Sequence, residues 1–155
     1  MRKLMICIAL AALFGATVPA LASAEPATFA TARDGSLDVT SSIFVTSRAV
    51  DQRGGWIDES KPCTAFRALR VRAEIHFTRP NGTGVHRTRT RRSAVMNCAE
   101  GGPNLGFTRR ATSAGLACPD GRWRPGRYDF VTRTTHLASG LVSLGTLSWI
   151  RRGIC

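Results

Sequence analysis

Leu69-Arg70-Val71-Arg72-Ala73-Glu74-Ile75-His76-Phe77 alternates apolar and polar side chains without a break. Leu69, Val71, Ala73, Ile75 and Phe77 fall on one side, and Arg70, Arg72, Glu74 and His76 on the other. Successive side chains of a strand point to opposite faces, so the pattern predicts a strand with one buried face. Arg79-Pro80-Asn81-Gly82-Thr83-Gly84 follows. Pro offers no ladder donor and Asn-Gly accepts positive φ, so the chain is expected to turn here. Val85 to Met96, rich in Thr and Arg, then reads as the returning strand.

Setting Phe77 opposite His86 pairs His76 with Arg87, Glu74 with Arg89 and Arg72 with Arg91. A slip of one residue exchanges the two faces and sets Arg87, Arg89 and Arg91 opposite the apolar row, and burial argues against that. The expected product is an outer sheet face with excess positive charge. Arg70, Arg72, Arg87, Arg89 and Arg91, beside His76, would form a grid of forked donors suited to phosphate, sulphate or carboxylate. The ordinary alternative is a solvated face whose arginines discourage edge-to-edge pairing.

A similar plan recurs later. Arg127 to His136 reads as a strand, Ala138-Ser139-Gly140 as a turn and Leu141 to Ile150 as the return. A cysteine flanks each hairpin on both sides. The pairs Cys63–Cys98 and Cys118–Cys155 are therefore expected, each worth about 3–4 kcal/mol in the chain-entropy picture. The competing connectivity joins Cys98 to Cys118 and Cys63 to Cys155.

Between and before these units the chain is richer in turn signals. Glu25 to Ala32 reads as a loose start or a short edge strand, Asp34-Gly35 as a turn and Leu37 to Ser47 as a strand. Val50 to Pro62, with Gly54-Gly55, reads as a loop holding at most a short strand at Trp56-Ile57. Leu105 to Thr112 is a short strand that sets Arg109 and Arg110 on opposite faces, and Ala114 to Gly126 is a loop. Six or seven short strands and no helical periodicity predict an all-β antiparallel sandwich of immunoglobulin-like architecture, or a small barrel. Arg124-Pro125-Gly126-Arg127-Tyr128-Asp129-Phe130 resembles the lead-in to a strand in many immunoglobulin-like bacterial domains.

Met1 to Ala24 has the charged start, apolar run and Ala22-Ser23-Ala24 site of a cleaved secretory signal peptide. Residues 25–155 would then form one β-rich domain, secreted or periplasmic in a bacterium, with disulfides to match an oxidising compartment. The full chain of 155 residues has a formal charge of +12, and removing Arg2 and Lys3 leaves +10. Of the 22 basic residues 20 are arginine, a bias that also fits a GC-rich genome. A basic exported domain meets anions, so the expected partner is an anionic polymer or an extracellular protein.

A second binding candidate is Arg122-Trp123-Arg124, an aromatic ring between two cations, able to stack on a sugar or base. Its alternative is Trp123 packed at the core edge. His76, His86 and His136 show no motif that joins them to an acid and a nucleophile. No cysteine or histidine spacing suggests zinc, and no cofactor is expected. The leading reading is a non-catalytic binding module. A small exported hydrolase-like enzyme with a loop-borne site, or an exported protein inhibitor presenting loop 119–126, are the alternatives.

Overall fold

Two hydrophobic clusters, one at each end of a pair of packed sheets, account for most of the buried apolar side chains. The computed structural model describes residues 25–60, 69–93 and 104–155, with backbone alone for 91–93 and 104. They form β1 (Ala27–Asp34), β2 (Leu37–Val45), β3 (Ala49–Asp58), β4 (Leu69–Thr78), β5 (Gly84–Ser93), β6 (Asn104–Arg110), β7 (Gly126–His136) and β8 (Val142–Arg151). The first sheet has the order β1-β2-β3-β6 and the second β5-β4-β7-β8. Every pairing is antiparallel. The sheets face each other as an open sandwich and do not close into a barrel, and no helix occurs among the described residues. Residues 1–24, and with them the expected signal peptide, lie outside the described residues.

The second sheet sets the outer strands β5 and β8 on either side of the central pair β4 and β7. The first sheet differs, because β1, β2 and β3 form a consecutive meander. Tyr128, near the start of β7, donates its hydroxyl hydrogen to the Arg124 carbonyl at 2.8 Å and ties the strand to the loop before it.

Two strands exceed their sequence expectation. Residues 27–34 make a full edge strand paired along β2. Residues 49–58, expected as a loop, form a central strand between β2 and β6. Gly54 explains the error. It sits mid-strand where the sheets approach, and a Cβ there would crowd the Thr134 side chain and come within 2.8 Å of Val71 Cγ2. The glycine leaves room for the Thr134 and Val71 side chains of the facing sheet and does not mark a turn.

The larger cluster gathers Ile43, Val45, Val50, Ile75, Phe77, Trp123, Tyr128 and Phe130. The smaller holds Leu37, Val39, Trp56, Leu69, Val71, Ala73 and Phe107. Between them lies a polar belt. Ser41 donates to Thr134 Oγ1 at 2.8 Å, and Gln52 Nε2 donates to the Val131 carbonyl at 2.9 Å. The buried side chains here are satisfied, as low dielectric requires. The loop after β6 closes one end, burying Ala111, Ala114, Leu116 and Trp123. Cys118–Cys155 ties that loop to the C-terminus with Cα atoms 5.1 Å apart, which excludes the competing connectivity. Cys63 and Cys98 lie outside the described residues. Full burial of a large apolar side chain contributes about 1.5–3 kcal/mol. Phe77, Phe130, Ile43 and Ile75 together therefore outweigh this one disulfide, at about 3–4 kcal/mol.

Gly54→Ala should destabilise the protein by about 1–3 kcal/mol through overpacking, read as a lower urea midpoint at unchanged slope.

Candidate anion-binding site

The β4–β5 register is the one that sequence reasoning set aside. Phe77 stands opposite Val85, His76 opposite His86, Ile75 opposite Arg87, Ala73 opposite Arg89 and Val71 opposite Arg91. Val85 is the apolar residue nearest the turn in β5, and it packs on the larger cluster beside Phe77. Arg87 and Arg89 therefore share the inward face. Burial does not forbid this because β5 is an edge strand. Its inward side chains reach the open side of the sandwich, where arginine stems cover apolar surface and their heads stay wet. Arg87 and Arg89 are both exposed.

The facing edge strand is β6. Phe107 on it and Ala111 just past its end are buried, so the alternate residue Arg109 also faces inward, opposite buried Val50. Three arginines thus converge on the gap between the two edge strands. Arg87 Nε donates to the Ala114 carbonyl at 3.2 Å, just beyond β6. Arg109 is half-buried, and its Nε is fully buried with no hydrogen-bond partner. Burial, then the positive charges of Arg89 and Arg87, lower its pKa. Among the described residues no carboxylate pairs with any of the three. A buried donor without an acceptor, next to two like charges, is costly. An oxyanion held by the exposed guanidinium ends of Arg87 and Arg89 would supply the missing negative charge beside Arg109. Guanidinium forks match the paired oxygens of phosphate, sulphate and carboxylate.

The other expected binding residues are not brought to this gap. Arg70 and Arg72 lie on the outer face of β4, both exposed, and Arg72 Nε is paired with Glu74 Oε1 at 2.6 Å. The stacking role of Trp123 is overturned. Its ring is fully buried against Tyr128 and Phe130, and Nε1 donates to the Thr46 carbonyl at 3.1 Å. Arg122 pairs with Asp120, and Arg124 Nε donates to the Ala117 carbonyl at 2.9 Å. Those contacts shape the loop around the tryptophan. Arg109 was missed as a site residue. Its alternation with Phe107 and Ala111 was readable, but its proximity to β5 arises only when the sheets stack.

No family model matches the chain, and no curated protein matches it in sequence.

Arg109→Met should keep the stem packing and remove the orphaned donor. Stability in an anion-free buffer should rise by about 1 kcal/mol or more, and the stabilisation that wild type gains from added sulphate should shrink. Urea titrations with and without sulphate at constant ionic strength measure both.

Proposed function

We propose that this chain is an exported, non-catalytic binding domain, secreted or periplasmic, that holds an anionic polymer at the β5–β6 side of the sandwich. The observation that supports this reading most is the convergence of exposed Arg87 and Arg89 on partly buried Arg109 with no carboxylate pairing any of them among the described residues. The chain's formal charge of +12 adds a long-range attraction that concentrates polyanions near such a site. Arg70, Arg72 and Arg133 on the outer face of the second sheet extend the positive surface. The proposal keeps the second disulfide, Cys63–Cys98, and with it an oxidising compartment.

The polymer's groups that fit are phosphates, sulphates or carboxylates spaced along a chain, because each guanidinium takes two oxygens and three must be served. Polyanion binding releases counterions, so its affinity falls steeply with salt. The experiment is heparin retention and its salt dependence for wild type, Arg87→Ser/Arg89→Ser/Arg109→Gln, and the outer-face control Arg70→Ser/Arg72→Ser. The inner triple variant should elute at much lower salt, with the salt slope reduced by about 2–3, and the control should lose clearly less. Co-elution of the inner triple variant with wild type would refute the reading. A control that falls as far as the inner variant would point to net charge alone.

A further inference from the structure

The same register that turns three arginines inward brings two histidines together outside. His76 and His86 are direct partners across β4 and β5. Their rings stack with centroids 4.0 Å apart and planes 16° from parallel. Both Nε2 atoms point at one atom, Glu74 Oε2, at 3.0 Å and 3.2 Å. The three donor atoms lie within 4.8 Å of one another. We propose that Glu74, His76 and His86 form a surface site for one divalent first-row transition-metal ion.

The donor set selects the ion. Two imidazoles and one carboxylate are borderline ligands, suited to Cu²⁺, Ni²⁺ or Zn²⁺, whereas Ca²⁺ and Mg²⁺ prefer all-oxygen shells. Affinity should be highest for Cu²⁺ by the usual order of divalent ions. Ligand atoms on such an ion sit about 2.0–2.2 Å from the metal and so about 3–3.5 Å from each other. The existing separations to Glu74 are already in that range. Each imidazole would carry its proton on Nδ1 and present the Nε2 lone pair to the ion.

The surroundings support the arrangement. Arg72 holds Glu74 Oε1 at 2.6 Å, leaving Oε2 turned toward the rings. Such outer contacts orient metal ligands. Thr88 Oγ1 lies 3.1 Å from His86 Nε2. Asp129, opposite His76 on β7, is occupied by Arg127 and Ser148 and takes no part. Side-chain exposures of 43% and 48% for the two histidines leave the ion's remaining positions to water. The third histidine, His136, is buried and accepts from the Ser139 backbone N–H at Nδ1. It is not a competing ligand.

The test is isothermal titration of the purified protein with Cu²⁺ and with Zn²⁺, alongside His76→Asn, His86→Asn and Glu74→Gln. All three positions lie on the solvent face of the sheet, and near-ultraviolet circular dichroism of the buried Trp123 reports whether each variant keeps its fold. One equivalent should bind, Cu²⁺ more tightly than Zn²⁺, with two nitrogens in the electron paramagnetic resonance spectrum of the copper form. Changing an outer-shell partner alone costs about 10–100-fold, so each histidine variant should lose about 100-fold or more, and Glu74→Gln about 10-fold or more. Absence of saturable binding overturns the proposal. So does wild-type affinity in either histidine variant, which would place the ion elsewhere, such as at the chain terminus. Heparin elution of His76→Asn/His86→Asn should match wild type, because the arginine gap lies on the opposite face.

Discussion

One residue-to-residue contact, Val85 against Phe77, decides what both faces of the second sheet present. A strand pair has a side-chain period of two, so a shift of one position moves every side chain to the other face. With Val85 inward, Arg87 and Arg89 follow it inward, and His86 stands beside His76 outside. With Val85 outward, the histidines would be apart and the arginines would lie in open solvent. The turn cooperates. Arg79 donates its backbone N–H to the Thr83 carbonyl at 2.8 Å, and Gly82 takes φ 84°, so the loop closes on the pair Thr78–Gly84.

The arginine gap sits where the sandwich is least complete. A two-sheet sandwich has two lateral openings, and here β1 meets β8 at one and β5 meets β6 at the other. At the first, Ser143 hydrogen-bonds the Ala30 carbonyl at 3.0 Å and the opening is closed by neutral contacts. At the second, like charges face each other with no carboxylate among the described residues. The repulsion disfavours tight closure, and the long arginine stems fill the space a smaller side chain would leave empty. A buried donor without a protein acceptor calls for a partner such as a water, an ion or a ligand.

The core tolerates this because its stabilisation lies elsewhere. Tyr128 stacks on Phe130 with planes 7° apart and meets Trp123 edge-on, and all three are fully buried. The polar belt of Ser41, Gln52, Thr132 and Thr134 separates this cluster from the smaller one. It also fixes how the sheets align, since Gln52 must reach backbone carbonyls of β4 and β7 together. Gly54 lets the sheets come close enough for those bonds.

The sequence by itself determined the local structure. The alternation in 69–77 and 127–136, the Asn81-Gly82 turn and the flanking cysteines 118 and 155 were all legible, because period, turn chemistry and loop closure act between near neighbours. The central strand 49–58 was not legible, because Gly54-Gly55 reads as a turn unless a second sheet is known to press on it. The tertiary structure alone decided the rest. Which face of β5 turns inward depends on whether a sheet covers it, and an edge strand is covered along only part of its length. Arg109 met Arg87 and Arg89, and His86 met His76, through stacking and register between strands distant in sequence. Those are long-range packing constraints, and no local pattern of residues encodes them.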